Sequence, residues 1–203
     1  MELEFIEKEH KYIDQEGNVI PGVTDILSML TGDGVAKINP AVLEHAAERG
    51  TLVHEWCQMY DYECAEEQVP SELEPYCHAY MDFVRDYRPQ WHGIEQVIYC
   101  DAMQTGRGYA GTLDRIGMIA GKMSVVDIKT IASPTKMNYI SVCCQTAAYA
   151  WATQPLAKRY ALYLKPDGKY RLFSCDEYEL KNGFSGYDLW KKIYGLYTEI
   201  HEI

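Results

Sequence analysis

Between Ile94 and Lys129 the chain leaves helical spacing for strand-like alternation, and this switch of period limits its fold more than any other feature. Ile94 to Met103 reads as one strand and Tyr109 to Ile119 as a second. Met123 to Lys129 reads as a third, with Ala120-Gly121-Lys122 as a tight turn before it. Helical patterns flank this block. Asn39-Pro40 sets a cap residue before a proline at the first helical position, and Leu43, Ala46, Ala47, Gly50, Val53, His54 and Cys57 follow as one stripe toward Tyr60. A second helix is expected from Ser71 to about Tyr87, where Arg88-Pro89 stops it. After the block comes a helix over Asn138 to Thr153. Strands Arg159–Leu164 and Tyr170–Ser174 follow, joined by Lys165-Pro166-Asp167-Gly168, and a last helix runs from Tyr178 to His201.

The N-terminal part reads as a hairpin. Residues 3–13 form a strand, Gln15-Glu16-Gly17-Asn18 a turn, and Val19 to Val23 a return strand interrupted by Pro21-Gly22. Thr24 is then expected to cap a short helix, Asp25 to Leu30, ended by Gly32-Asp33-Gly34. The whole order predicts an α/β fold: a mixed central sheet with helices on both sides and an N-terminal hairpin. Residues 1–203 are expected to form one domain, in which 61–90 is a candidate helical arch or lid.

No apolar run reaches the length of a membrane span, so no membrane association is expected. The opening residues have no basic start before an apolar stretch, and a cytoplasmic protein is expected. The seven cysteines include no C-x-x-C pair, which argues against a zinc ribbon and a regular iron–sulfur run. Charge is divided unevenly. Residues 1–128 carry 9 basic against 23 acidic groups, a net −14, while residues 129–203 carry 10 against 7, a net +3. A polyanion can meet the second part, whereas a cation site would draw on the first.

The chemistry concentrates in Gly111-Thr112-Leu113-Asp114 and Asp127-Ile128-Lys129-Thr130. Asp114 and Asp127 lie on consecutive strands of one hairpin, so their carboxylates can converge. Asp127 and Lys129, two apart, leave their strand on the same face. Two converging carboxylates repel unless they are protonated or hold a cation. A lysine beside them suits a site where a divalent ion activates water and neutralises a phosphoryl oxygen. The same residues also fit a lysine–aspartate ion pair at a sheet edge. Gln145 and Tyr149 share an inward helical face with Val142 and Ala152. They suit either a polar site beneath that helix or a core tyrosine with a backbone-satisfied glutamine. His54 lies on an apolar stripe, as a ligand or as a satisfied core histidine. His54-Glu55 is not a metalloprotease motif, because Cys57 and Gln58 stand where the second histidine is needed. Cys143-Cys144 as a redox or metal pair is disfavoured, since adjacent helical residues point to different faces.

The ordered set Arg49-Gly50-x-x-x-His54, Glu95, Gly111-Thr112-x-Asp114, Asp127-Ile128-Lys129-Thr130 and Gln145-x-x-x-Tyr149 resembles the PD-(D/E)xK nuclease superfamily. The likeness is to its RecB-type nuclease domains and its phage and mitochondrial single-strand exonucleases. His10-Lys11-Tyr12 and Pro21-Gly22-Val23-Thr24-Asp25-Ile26-Leu27 resemble the start of such phage and mitochondrial proteins, and the likeness spans roughly residues 10–165. It departs from the family pattern at Leu113, where proline is usual, and in the second acid, an aspartate, as in the RecB-type branch.

The resemblance implies a restriction-endonuclease-like core. It implies His54, Asp114, Asp127 and the carbonyl of Ile128 as ligands of Mg²⁺ or Mn²⁺, with Glu95 as a supporting group or second-metal ligand. Lys129 becomes the catalytic lysine, and Gln145 and Tyr149 brace the site and meet the DNA backbone. Thr24, Arg49 and Thr130 become candidate DNA contacts. Some relatives hold an iron–sulfur cluster through a cysteine before the core and a group after it; with none before Cys57 and Cys175 alone after the core, no cluster is expected. The implied activity is metal-dependent exonucleolytic hydrolysis of single-stranded DNA ends in recombination, repair or phage DNA processing, in a phage- or prophage-encoded setting. A recombinase or single-strand annealing protein is the implied partner. The alternatives are a structure-specific endonuclease and a non-catalytic DNA-binding module on the same fold.

Overall fold

A computed structural model describes residues 3–6, 11–30, 39–64, 69–101 and 108–202. The expected segments 7–10, Gly32-Asp33-Gly34 and Ala102-Met103 lie outside them. Strands β1 (Glu4–Ile6), β2 (Lys11–Ile13) and β3 (Val19–Ile20) form a small antiparallel sheet. Its turn is fixed by Asp14, whose Oδ1 accepts the N–H groups of Glu16 and Asn18. Helix α1 (Val23–Ser28) follows. The expected cap is shifted: Gly22 is the N-cap and Thr24 lies inside the helix, because Asp25 reaches back to accept the Gly22 N–H at 3.2 Å.

Next come helices α2 (Pro40–Asp61) and α3 (Glu74–Tyr87), then strands β4 (Gln90–Cys100), β5 (Tyr109–Ile119) and β6 (Lys122–Lys129). Helix α4 (Lys136–Thr153), strands β7 (Lys158–Leu164) and β8 (Tyr170–Ser174), and helices α5 (Cys175–Asn182) and α6 (Gly186–His201) complete the chain. The five-stranded sheet has the order β4-β5-β6-β7-β8. Only β6 and β7 run parallel, because the 18-residue helix α4 carries the chain back across the sheet between them. The N-terminal sheet is tied to β5 where the Ala110 N–H donates to the Pro21 carbonyl. This is the α/β arrangement expected, a mixed sheet flanked by helices.

Alternate strand residues face two different cores. Val125 and Ile116 pack with α1, α4 and α6, around Ile26, Ala148, Trp190 and Tyr194. Val126, Ile128, Leu162 and Leu164 pack with α2 and α3, around Val53, Cys57, Tyr80 and Phe83. Helix α3 lies within the 61–90 stretch expected as a helical arch or lid. Its Tyr76, Cys77, Ala79, Tyr80 and Phe83 are buried against the sheet, so it is a core helix, and it starts at Glu74 rather than Ser71. The stripe on α2 is only half used, since Val53 and Cys57 are buried whereas Ala47 is exposed. The single C-terminal helix is also corrected. Gly183 takes φ +67° after α5, and Ser185 caps a new helix by accepting the Asp188 N–H. Among the described residues no helix is long and apolar enough to cross a membrane.

Candidate metal centre

The site begins where two strands part. The β5–β6 ladder runs from Ile119 opposite Lys122 to Arg115 opposite Val126 and stops there. Beyond that point β6 stays paired with β7 through Asp127, Ile128 and Lys129. The Ile128 N–H that would have served the β5 ladder instead donates to Asp114 Oδ2 at 2.6 Å. One aspartate thus takes over a backbone hydrogen bond in the fork, and a backbone carbonyl is left near it.

Helix α2 delivers the imidazole to this fork. His54 Nε2 lies 3.1 Å from the Ile128 carbonyl oxygen. On the other side of the ring, Nδ1 lies 3.6 Å from Glu95 Oε1 and 3.7 Å from Asp114 Oδ2. One ligand atom from each of His54, Glu95 and Asp114 falls within 4.8 Å of the others, a grouping able to hold a metal ion. Glu95 joins it through an unusual backbone. It lies between the pairs Ile94–Arg115 and Gln96–Leu113, opposite Asp114, and takes φ +46°, the left-handed region that a non-glycine residue in a strand rarely adopts.

Asp127 stands beside this grouping rather than in it. It is 1% exposed, and Lys129 Nζ lies 2.9 Å from its Oδ2. Lys129 is thus the ion-pair partner of Oδ2, while Oδ1 is buried with no hydrogen-bond partner among the described residues. A buried carboxylate in that condition is costly unless a cation completes it.

The electrostatics follow from burial and crowding. Burial, then the neighbouring Asp127 and Glu95 carboxylates, push Asp114 up to about 6 against the pull of His54 and Lys129. Burial alone would lower the His54 pKa, but Asp114 and Glu95 outweigh it and raise it. Glu95 ends lowered, because His54 and Arg115 overcome its desolvation. Burial also works against a charged Lys129, yet Asp127 and Asp114 overcome it and raise its pKa, so the ammonium form is held.

Helix α4 closes the site from the other face of the sheet. Gln145 Nε2 donates to Tyr149 Oη at 3.2 Å, and both side chains are buried. Burial, with Asp127 and Asp114 nearby, raises the Tyr149 phenol well above its ordinary value. Gly111 allows this approach: a Cβ there would lie 2.7 Å from Tyr149 Cε1 and 3.3 Å from Val23 Cγ2.

The outer candidates are placed differently. Gly50 on α2 passes Thr130, whose hydroxyl oxygen would be 3.7 Å from a Cβ at position 50. Arg49 lays its guanidinium 5.5 Å from the Tyr76 ring centroid, with a buried Nε that has no hydrogen-bond partner among the described residues. Thr24 is exposed on α1, and the Asp25 carboxylate already serves that helix start.

Two residues escaped the sequence reading. Arg115 is wholly buried, with Nε 2.6 Å from Asp61 Oδ2 and Nη1 2.9 Å from Glu95 Oε1. Asp61 also accepts from the Tyr80 hydroxyl at 2.6 Å and the Trp91 indole at 3.2 Å. The signal was an arginine inside an otherwise apolar strand, next to an aspartate already singled out.

These features define an α/β protein with a candidate metal centre at a fork in its sheet. No protein-family model matches the chain, and no curated protein does. Among solved structures, one titled "Crystal structure of SSO0001" is similar at 17% identity over 75% of this chain and 76% of its own, with a TM-score of 0.33. A likeness of that size specifies no activity.

Proposed function

We propose that this protein is a divalent-metal-dependent deoxyribonuclease that hydrolyses phosphodiester bonds at single-stranded DNA ends. The observation that carries this reading is the fork itself. There, His54, Glu95, Asp114 and the Ile128 carbonyl converge beside a buried Asp127 that is ion-paired to Lys129 through Oδ2 and has an unpartnered Oδ1. The donors are oxygens with one imidazole nitrogen, a set that fits Mg²⁺ and, because of the imidazole, Mn²⁺. His54, Asp114, Asp127 and the Ile128 carbonyl would hold the ion, with Glu95 as a further or second-ion ligand. When bound, the ion supplies an activated water and neutralises charge on the phosphoryl group.

The chain's own residues do the rest. Lys129, 2.9 Å from Asp127, would orient the attacking water and stabilise the developing negative charge. Gln145 and Tyr149 brace the carboxylates and present hydrogen-bonding groups to a phosphate. Arg49 and Thr130, on and beside α2, would steady the backbone of the strand. Bound metal also offsets the acidic first part of the chain, which lets a polyanion come near.

The test is cleavage of end-labelled single-stranded DNA with Mg²⁺ or Mn²⁺, beside an EDTA control. Asp127→Ala and Lys129→Ala should each lower the rate by at least about 10²-fold. Equal rates in wild type and both variants would mean that the cleavage comes from another protein. A closed circular strand should resist attack, and nicking of the circle as fast as the linear strand would replace the exonuclease with an endonuclease.

A further inference from the structure

We infer that Arg115 is a positioning residue that presets the His54–Glu95–Asp114 grouping for a divalent cation, an inference that rests on the metal-centre reading above. Each member of the grouping comes from a different element: His54 from α2, Glu95 from β4 and Asp114 from β5. One buried guanidinium reaches all three elements. Its Nε holds Asp61, the last residue of α2, at 2.6 Å. Asp61 stands seven residues after His54, two helical turns along the same face, so this contact fixes the end of the helix that carries the imidazole. Its Nη1 donates to Glu95 Oε1 at 2.9 Å and to the backbone carbonyl of Asp114 at 2.7 Å.

The bond to Glu95 matters most, because Glu95 holds a left-handed backbone inside a strand. Such a conformation persists only where its surroundings over-determine it. Arg115 supplies that constraint, and it fixes the carboxylate 3.6 Å from His54 Nδ1. The Tyr80 ring, 6.0 Å from the guanidinium carbon, covers the arginine from the α3 side. A lysine at this position would keep the charge but not the fork, so it could not hold Asp61, Glu95 and the Asp114 carbonyl together.

The experiment is Mn²⁺ binding to the purified full chain, read from the free-ion electron paramagnetic resonance signal, with folding checked separately by metal-free thermal unfolding. In folded Arg115→Lys the Kd for Mn²⁺ should rise about 10- to 100-fold, the range for a group that orients metal ligands. Asp61→Asn, which leaves the arginine in place but loosens its hold, should move Kd in the same direction by less, and it carries the measurement if Arg115→Lys does not fold. Arg115→Lys combined with Glu95→Gln should lose little beyond Glu95→Gln alone, because the two act through one carboxylate. Folded variants that are less stable yet bind Mn²⁺ as wild type would overturn the inference and make Arg115 a purely structural ion pair. A wild type that binds no Mn²⁺ would sink the metal-centre reading with it. Loss of Mn²⁺ affinity in the variants of a protein that cleaves no DNA would support the inference and sink only the nuclease.

Discussion

Among the described residues charge is buried in two places, and one of the two balances. Beside α5, Arg159 donates to both Glu179 oxygens at 2.9 and 2.8 Å and to Asp176 at 3.0 Å. Lys158 Nζ also lies 3.7 Å from Asp176 Oδ2, so two cations meet two carboxylates there. At the fork, Asp61, Glu95, Asp114 and Asp127 face the fixed cations Arg115 and Lys129. Four carboxylates there meet two fixed cations, and His54, whose pKa Asp114 and Glu95 raise, offsets at most one more, so negative charge stays in excess. A closed cluster of buried charge needs nothing further, whereas a cluster left short of positive charge is a candidate site for a cation.

The sharpest way to break this contrast is to cut the closed cluster. Arg159→Ala would leave Glu179, itself 7% exposed, without its bidentate partner. Removing one partner of a buried pair costs about 3–5 kcal/mol, so a large drop in unfolding free energy is expected. Cleavage per folded molecule should stay at the wild-type rate. A stable variant with lost activity would show that the two clusters are not separate devices.

At the fork the sign should reverse, because charge there exceeds what the fold needs. Asp114 is raised to about 6, with burial as the main cause. Both folded and unfolded states hold this proton below about pH 4, the ordinary range for an aspartate. As pH rises toward 6 the unfolded chain gives it up first, so the folded state loses stability across that window. Asp114→Asn removes the penalty while keeping an acceptor for the Ile128 N–H. In EDTA at pH 8 the variant should exceed wild type by about 1–2 kcal/mol, and at pH 4 the gain should vanish. Divalent ions should raise the wild-type Tm strongly at pH 8 and little at pH 5, because protons compete for the ligand. Equal Asp114→Asn gains at both pH values would remove the excess-charge account of the fork.

How much of this was written locally explains what sequence reading reached. The β5 and β6 runs, the Gly121 turn, helix α4 and the Lys165–Gly168 turn follow from period and turn chemistry, so they were legible. The break at Gly183 was hidden by aromatic and polar residues that keep helical spacing on both sides. Gly22 replaced Thr24 as cap because a carboxylate three residues on completes the box, a reciprocal contact that single positions do not reveal. At the site, residue types pointed to Asp114, Asp127 and Lys129, and His54 and Glu95 came from the resemblance. Their distances depend on where the β5–β6 ladder ends and on the φ of Glu95. Arg115 was passed over because its partners lie 54 and 20 residues away.

Arg49 offers the gentlest probe of the same contrast, because it sits between the two kinds of buried charge. It has no carboxylate partner in an ion pair among the described residues; it leans on Tyr76 instead, with Nε buried and unpartnered. If it serves the fold, its loss should cost stability through lost packing on that ring. If it serves the strand, Arg49→Ala should weaken single-stranded DNA binding about 3- to 10-fold at low salt and flatten the salt dependence by about one phosphate contact. Metal affinity should not change, since Arg49 touches no ligand of the fork. Binding isotherms for a labelled oligonucleotide at several salt concentrations, with Ca²⁺ in place of Mg²⁺ to suppress cleavage, separate the outcomes. An unchanged salt slope with a lowered Tm would assign Arg49 to the structural side.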